Sequence, residues 1–400
     1  MKLDSSRQPS VSVVVPIFNV ERYLRQCLDS LVGQTLRDLE IICINDGSTD
    51  SSGAIAAEYA ARDGRVRVVS KVNSGYGDSM NRGIAEARGR WIGICEPDDF
   101  CDKRMYAQLL RAGERFSCDF VKANYREHSE GASPEPGCAA AESEGSCPES
   151  AKSATVGRSE GAGTGFFESA ASAVRSVSAH ADRLVRACIA RTRGAEGDPL
   201  HEVFGGFLYG SLFDPRENAA VLYTDPTIWT GLYRREFLER NGISFSPTPG
   251  ASFQDASFAH QCWIAARRVV LLREGFYHYR IDNAASSVKS GAKVFAVCDE
   301  YDRSLAFARD RGGEEWRLFG PRLSILRFGV YVWNYNRIAQ EFRPAFVERW
   351  IGDLVRADDE GLLDFSLMTP EYRALLADVL AGPEALQALY PDDIPAPPLR

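Results

Sequence analysis

Long hydrophobic runs are absent from this sequence of 400 residues. No stretch of roughly 18 apolar residues, the length needed to span a bilayer, occurs anywhere in it. The first segment, Met1 to Ser10, is polar and has no apolar core of signal-peptide length. We therefore expect a cytoplasmic protein that makes at most a peripheral contact with the inner face of the membrane.

A basic surplus and metal-binding cysteine patterns are also lacking. The net charge is -8, which argues against a nucleic-acid partner because phosphate binding needs a clustered basic surface. The 10 cysteines include no C-x-x-C pair. This absence excludes the common zinc motifs and favours reduced thiols over a disulfide scaffold.

What the sequence does contain is an alternation of short β-branched runs and amphipathic segments. Strands are predicted at residues 11–16, 39–44, 66–69, 91–94 and 120–125. Between the first two, apolar residues recur at helical spacing from Tyr23 to Val32. Strands and helices that alternate with short links predict an α/β fold, doubly wound around a parallel sheet with right-handed crossovers.

Three carboxylates follow the predicted strand Trp91 to Ile94. They are Glu96, Asp98 and Asp99, and Pro97 between them ends the strand. Ligands bind at the carboxyl ends of such strands, and clustered carboxylates repel one another unless a cation neutralises them. The cluster therefore suggests a divalent metal site, with a solvated acidic turn as the plain alternative.

Four motifs occur in a fixed order, each after a predicted strand. They are Pro16-Ile17-Phe18-Asn19, Asn45-Asp46-Gly47-Ser48-Thr49-Asp50, the segment from Asn73-x-Gly75 to Asn81-x-Gly83, and Glu96-Pro97-Asp98-Asp99. Each is weak alone, but together they resemble the successive motifs of the inverting family 2 glycosyltransferases. The resemblance implies a GT-A fold, a mostly parallel sheet flanked by helices, with a Rossmann-like nucleotide-binding half and an acceptor half.

By this resemblance, ten positions would bind a nucleoside diphosphate sugar. They are Pro16, Phe18, Asn19, Asp46, Asn73, Gly75, Asn81, Glu96, Arg280 and Lys289. Asp46 suits the imide of a uracil or thymine ring, because a carboxylate accepts hydrogen bonds. Asp98 and Asp99 would hold Mg2+ or Mn2+ against the diphosphate. Glu96 departs from the Asp that the family usually has at its position.

The resemblance returns between about 225 and 290 and implies that Asp255 is the catalytic base. The family has a Glu-Asp pair at the head of the corresponding helix, where this chain has Gln254 and Asp255. An Asp in this place is otherwise most often a helix cap. His278 lies in a tyrosine-rich strand, where a core residue is the more frequent interpretation than a metal ligand.

Two further regions complete the predicted organisation. Residues 129–165 are rich in Ser, Gly, Ala, Glu and Pro, so we expect a disordered insertion, followed by a helix from Phe166 to Arg193. Residues 291–400 show helical periodicity, so a C-terminal helical region should follow a catalytic domain over residues 1–290. Its aromatic residues suit a packed core better than a membrane surface.

These observations favour an inverting glycosyltransferase of the hexosyltransferase type. The expected donor is a nucleoside diphosphate sugar, UDP-linked, and the expected acceptor is a glycan or lipid-linked sugar in surface polysaccharide synthesis. A sugar nucleotidyltransferase is a first alternative, although such enzymes have a Gly-rich basic loop where this chain has Pro16 to Asn19. A non-catalytic nucleotide-sugar-binding protein is a second alternative, since Glu96 and Gln254 depart from the family pattern.

Overall fold

The computed structural model describes residues 8–130, 198–283 and 293–395. Most of the predicted insertion, the helix predicted from Phe166 to Arg193, and Lys289 lie outside these ranges. The strands are β1 (Val11–Ile17), β2 (Leu39–Asp46), β3 (Val66–Lys71), β4 (Trp91–Ile94), β5 (Phe100–Cys101), β6 (Phe120–His128), β7 (Leu200–His201), β8 (Leu212–Phe213), β9 (Gly231–Arg234) and β10 (Val269–Arg280).

Helices cover the sheet and continue beyond it. They are α1 (Glu21–Val32), α2 (Ser52–Arg62), α3 (Tyr76–Glu86), α4 (Met105–Phe116), α5 (Arg235–Asn241), α6 (Gln254–Ala265), α7 (Ala296–Arg311), α8 (Gly313–Arg337), α9 (Arg343–Asp359), α10 (Pro370–Leu380) and α11 (Pro383–Leu389). As the spacing predicts, α1 buries the stripe that includes Tyr23, Leu24 and Leu28.

One sheet organises the molecule, with strand order β3-β2-β1-β4-β9-β6-β10-β5. The pairs β3 with β2, β2 with β1, and β1 with β4 are parallel, as the alternation of strands and helices predicts. Strand β9 lies antiparallel between β4 and β6. The predicted parallel arrangement therefore holds for β1 to β4, while between β4 and β6 the sheet contains β9, which comes from more than a hundred residues later in the chain.

The position of β9 depends on Gly231, its first residue. A Cβ built on Gly231 would lie 2.5 Å from the carbonyl oxygen of Val121 and 3.2 Å from Cγ of Lys122, both in β6. Such distances are far inside van der Waals contact, so any larger residue would push β9 away from β6. Glycine therefore permits the close approach of these two strands.

The C-terminal helices pack on the sheet domain through α7, which contacts both α6 and α8. Large aromatic side chains fill the space between them: Phe328, Tyr331, Tyr335, Phe346 and Trp350 are all buried. These residues form a packed core, which agrees with the preferred interpretation of the aromatic-rich sequence. Over the residues that the structure describes, no helix is both long and apolar enough to cross a membrane.

Candidate active site

The loops that follow β1 and β2 meet at one edge of the sheet and are joined by Asn19. This residue adopts a left-handed conformation with φ of 49°. Its Oδ1 accepts a hydrogen bond from the Thr49 amide at 2.8 Å, and its own amide donates to Ser48 Oγ at 3.2 Å. Phe18 beside it is 49% exposed, whereas Pro16 is buried within β1. The loop after β1, with its predicted donor-binding residues, thus presents an exposed aromatic ring next to a residue that is hydrogen-bonded to the loop after β2.

Asp46, at the end of β2, organises the loop between β3 and α3. Its carboxylate accepts hydrogen bonds from the amides of Ser74 at 2.9 Å and Gly75 at 3.0 Å, and it pairs with the ammonium of Lys71. Gly75 has φ of 101°, and a Cβ there would lie 2.6 Å from the carbonyl oxygen of Thr248. Only glycine fits this position. Contact between Asp46 and a nucleotide base stays a prediction.

Asn81 is placed to hold the fold together. Its side-chain amide donates to the carbonyl of Phe245 at 2.9 Å, and its Oδ1 accepts from the amide of Phe245 at 2.9 Å. Both polar groups of the side chain are therefore used to join α3 to the segment before α6. Asn73 is exposed on the loop, and the contacts of Asn73 and Asn81 with the donor stay predictions.

Asn81→Ala is expected to lower the free energy of unfolding by about 1–3 kcal/mol, because the backbone groups of Phe245 lose their partners. The affinity for UDP should stay unchanged. Urea denaturation and calorimetry measure the two quantities, and Asn73→Ala is the matched control for stability. Full stability of Asn81→Ala together with weakened UDP binding would instead support the predicted contact between Asn81 and the donor.

The acidic motif after β4 splits into residues with different surroundings. Glu96 Oε1 accepts a hydrogen bond from the Tyr76 hydroxyl at 2.6 Å, a contact that the longer Glu side chain makes. Asp99 is 2% exposed. Its Oδ2 accepts from the Tyr277 hydroxyl at 2.9 Å and its Oδ1 from the Arg280 amide at 2.7 Å. Asp99 therefore joins the acidic loop to β10, which conflicts with the predicted role as a metal ligand.

Asp98, by contrast with Asp99, keeps one of its two carboxylate oxygens open. It is partly exposed, and its Oδ2 accepts a hydrogen bond from the Asn283 side chain at 2.8 Å. Within the described part of the chain, no donor is hydrogen-bonded to its Oδ1. In the same ranges, no group of three or more His, Cys, Asp or Glu side chains could hold a metal ion by itself.

Arg280 points into the protein, so its predicted role as a phosphate donor needs correction. Its guanidinium side chain is 0% exposed. Nε donates to the carbonyl of Asp98 at 2.9 Å, and Nη1 donates to Glu130 at 2.9 Å. The guanidinium carbon also lies 4.5 Å from the ring centre of Tyr23. Arg280 therefore supports the acidic loop from behind, because its donors are already engaged there.

Gln254, the first residue of α6, is buried and hydrogen-bonded to the loop that precedes the helix. Phe253, just before the helix, adopts a left-handed conformation with φ of 61°, a strained state that is common at functional sites. Gln254 is 1% exposed, and its side-chain nitrogen donates to Thr248 Oγ1 at 2.8 Å and to the carbonyl of Gly250 at 3.2 Å. A glutamate could not donate these bonds, which explains the departure from the family pattern.

Tyr76 joins the segment before α6, and with it Asp255, to the acidic motif, because its amide donates to the carbonyl of Gly250 at 3.1 Å and its hydroxyl to Glu96 at 2.6 Å. Burial raises the pKa of the Asp255 carboxyl to about 6, although a hydrogen bond from the amide of Ala256 favours the ionised form. Burial also raises the pKa of Glu96 to about 8, and the charges of Asp98 and Asp255 add to that rise. The structure thus brings Asp255 close to a motif that lies far away in the sequence. A carboxylate with these properties suits a general base near neutral pH.

Three aromatic residues of the site were not predicted as functional. Tyr76 donates to Glu96 and Tyr277 donates to Asp99. Trp229 stacks on Tyr277 with ring centres 4.3 Å apart. Their only sequence signal is proximity to the motifs, because aromatic residues in strands mostly indicate a core.

His278 is held by an acidic partner at the end of β10. Its Nδ1 lies 2.5 Å from a carboxylate oxygen of Asp198, and its ring stacks on Phe100 at 4.4 Å. Asp198 also contacts Nδ1 of His128 at 3.0 Å. This arrangement fastens the segment around Asp198 to the end of β10.

Comparison with known sequences identifies one family over the first part of the chain. Residues 12–179 match the family model described as glycosyl transferase family 2. The chain is 43% identical over 121 residues to the uncharacterized glycosyltransferase EpsJ of Bacillus subtilis (strain 168), which covers 30% of this chain and 35% of EpsJ. It is 38% identical over 96 residues to a chondroitin synthase of Escherichia coli, which covers 24% of this chain and 14% of the synthase. The matched stretch is a minor part of both relatives.

Comparison with solved structures extends over nearly the whole chain. The fold is similar to that of residues 1–349 of TarS from S. aureus, with a TM-score of 0.61 and 17% identity. The likeness covers 96% of this chain and 91% of that chain. At this identity the comparison concerns the fold alone, and it confirms the predicted GT-A arrangement of a sheet flanked by helices.

Proposed function

From the match of residues 12–179 to the model of glycosyl transferase family 2, we propose that the chain is an inverting hexosyltransferase of this family. The donor is a nucleoside diphosphate sugar, and the acceptor is a glycan or lipid-linked sugar in surface polysaccharide synthesis. The observation that carries this proposal is the pair of hydrogen bonds from Tyr76 to Gly250 and to Glu96, which join the head of the helix that bears Asp255 to the acidic motif.

One likeness supports a UDP-linked donor, and another supports a polysaccharide product. TarS, which has the same fold, has been solved in complex with UDP-GlcNAc. The chondroitin synthase of Escherichia coli and the hyaluronan synthase of Pasteurella multocida are similar to this chain over 96 and 97 residues respectively. Both names are those of polysaccharide-forming enzymes. We extend a UDP-sugar donor and a polysaccharide product to this chain on these grounds.

The proposed reaction is a single displacement. Asp255 takes the proton from the acceptor hydroxyl as its oxygen attacks the anomeric carbon from the face opposite the diphosphate. The bond between that carbon and the diphosphate oxygen breaks, and the diphosphate leaves with the electron pair. One displacement inverts the anomeric carbon. Because burial raises the pKa of Asp255 to about 6, the group is ionised at neutral pH and more basic than an exposed aspartate.

A divalent cation fits this donor site through Asp98. Mg2+ is commonly bound by one or two carboxylates together with substrate phosphates, so a single carboxylate with an open oxygen is sufficient. Asp98 has such an oxygen, whereas the carboxylate of Asp99 is buried and engaged. When bound, the metal would stabilise the charge on the departing diphosphate. Asn283 orients Asp98 for this contact.

Calorimetry with UDP in the presence of Mn2+ tests the donor and the metal together. The unmutated protein should bind UDP, and EDTA should weaken the binding by about tenfold or more, the scale of a disturbed metal site. Asp98→Asn should bind weakly whether or not Mn2+ is present, because the metal then loses its protein ligand.

Asp102→Asn is the matched control, since Asp102 lies just beyond the motif and contacts His278 at 3.5 Å. It should bind UDP like the unmutated protein and respond to EDTA in the same way. Equal UDP affinity with Mn2+ and with EDTA would exclude the metal role. A protein that binds no uridine or other nucleoside diphosphate at all would contradict the proposed donor.

A further inference from the structure

The turn immediately before α6 contains a strained residue, Phe253. Its backbone is left-handed, with φ of 61°, and Gln254 and Asp255 follow it as the first two residues of the helix. For a bulky side chain this conformation is an outlier, because the Cβ approaches a backbone carbonyl, and contacts around it must offset the cost. The direction in which α6 starts, and with it the direction of the Asp255 side chain, therefore depends on what holds Phe253.

Two side chains near the end of α8 contact the ring of Phe253. The ring of Trp333 meets it edge to face, with ring centres 5.7 Å apart and an angle of 86° between the planes. The guanidinium carbon of Arg337 lies 5.4 Å from the centre of the Phe253 ring and 5.2 Å from that of Trp333. Both distances are within the range of cation–π attraction. We call Phe253, Trp333 and Arg337 the Phe253 clasp, since each of the three contacts the other two.

The segment before α7 attaches the end of α8 to the same turn. Arg337 Nη2 donates to Asn334 Oδ1 at 2.6 Å and to the carbonyl of Lys293 at 3.3 Å. Asn334 is 0% exposed, and its side chain donates to the carbonyl of Val294 at 3.0 Å. The ammonium of Lys293 donates to the carbonyl of Ala251, in the turn before α6. Hydrogen bonds and ring contacts thus join this turn to the C-terminal helical region.

The opposite side of the turn is attached to the sheet. The carbonyl of Gly250 accepts from the amide of Tyr76 at 3.1 Å, and the Tyr76 hydroxyl donates to Glu96 at 2.6 Å. The head of α6 is therefore held from two sides. Tyr76 links it to the acidic motif, and the Phe253 clasp holds the residue next to the helix from the C-terminal helical region.

We propose that Trp333 and Arg337 are positioning residues, which keep Phe253 left-handed and thereby direct the Asp255 carboxylate towards the acceptor hydroxyl. This role rests on the proposed function of Asp255 as the base. A misplacement of about 1 Å at a reacting group can lower a rate by about a hundredfold. The C-terminal helical region is then part of the catalytic machinery as well as a packed core.

Hydrolysis of UDP-GlcNAc, with water as the acceptor, measures the effect on the reaction. Trp333→Ala should lower kcat by about tenfold to a hundredfold. KM and the affinity for UDP should change little, because the clasp acts on the base and not on the donor. Trp333→Phe keeps a ring against Phe253 and should restore most of the rate.

Trp316→Ala is the matched control for Trp333→Ala. Trp316 lies in the same helix, is also partly exposed, and contacts Arg309, whose guanidinium carbon is 5.1 Å from its ring centre. Its loss should leave kcat unchanged, whatever it does to the thermal midpoint.

A double-mutant cycle shows whether the effect of Trp333 passes through Phe253. Glycine adopts positive φ without strain, so Phe253→Gly permits the turn and removes its ring from the clasp. This variant should itself lower kcat, and adding Trp333→Ala to it should lower kcat no further. A general loss of packing would instead add its full effect in the Phe253→Gly background.

Hydrogen exchange followed by mass spectrometry tests the clasp without any reaction. In Trp333→Ala, amides of residues 249–258 should exchange faster than in the unmutated protein, while peptides from β1 and β2 keep their protection. Global destabilisation would raise exchange in β1 and β2 as well, so the two cases are distinguished. If Trp333→Ala does not fold, Arg337→Gln, which keeps part of the stem and removes the charge, gives the same readouts.

A full hydrolysis rate for Trp333→Ala, beside an inactive Asp255→Asn protein, would overturn the positioning role and leave the proposed function standing. Unchanged exchange of residues 249–258, or an undiminished effect of Trp333→Ala in the Phe253→Gly background, would do the same. Full activity of Asp255→Asn would overturn the proposed function, and the positioning role with it.

Discussion

Asp255→Asn is expected to cut sugar transfer by roughly 10²–10⁴-fold, the range found when a general base is removed. The amide has the size of the carboxylate but cannot take a proton from the acceptor hydroxyl. UDP binding should stay nearly intact, because Asp255 acts only when the proton leaves in the transition state. Initial rates of transfer and calorimetry with UDP measure the two effects.

The same substitution distinguishes a role of Asp255 as the general base from a role as a helix cap. Asn preserves the hydrogen bond that Asp255 Oδ1 accepts from the amide of Ala256, so a capping role predicts almost no change. The thermal midpoint at neutral pH should not fall, since burial penalises the ionised carboxylate that Asn removes. Asp310→Asn, in an exposed position of α7, is the matched control. Transfer at the full rate by Asp255→Asn would favour a nucleotide-sugar-binding protein or another base.

The rate of the unmutated protein should also depend on pH in a defined direction. Because the pKa of Asp255 lies at about 6, the base is ionised above that pH and protonated below it. Transfer should therefore decline as the pH falls through 6, and Asp255→Asn should lose this acidic limb. A rate that rises on acidification over this range would contradict a carboxylate base.

Asp99→Ala is expected to destabilise the protein by about 2–4 kcal/mol, because two buried donors lose their acceptor. These donors are the Tyr277 hydroxyl and the Arg280 amide, which hold the two oxygens of Asp99 at 2.9 Å and 2.7 Å. Asp98→Ala removes only the contact with Asn283 from a partly exposed position. Its loss of stability should stay within the small range of surface substitutions.

Urea denaturation followed by tryptophan fluorescence compares the two adjacent variants directly. The expected result is a large loss of stability for Asp99→Ala and a selective loss of Mn2+-dependent UDP binding for Asp98→Ala. Asp99→Asn is a milder variant that keeps one acceptor oxygen. Its free energy of unfolding should lie between that of Asp99→Ala and that of the unmutated protein. If both alanine variants were stable and lost only metal-dependent binding, both carboxylates would be metal ligands, as the sequence alone suggested.

The strand prediction succeeded where local periodicity is decisive. Strands β1, β2 and β3 are short apolar runs closed by turn residues, and the structure pairs them in parallel as predicted. The buried stripe on α1 could also be predicted from neighbouring residues alone, because side chains at helical spacing lie on the same face of the helix. The position of β9 in the sheet could not be predicted from the nearby sequence. A strand of four residues has too short a pattern, and the strands that it pairs with are distant in the chain.

The sequence by itself determined the α/β class, the order of the motifs and the location of the acidic cluster at the end of β4. Those features depend on residue type and short-range spacing. Only the tertiary structure separated Asp98 from its neighbour Asp99 and turned Arg280 into the protein. These assignments depend on which side chains from remote segments meet in the folded chain. Burial and hydrogen bonding at such contacts decide the role of each carboxylate, and adjacent identical residues do not reveal that difference in the sequence.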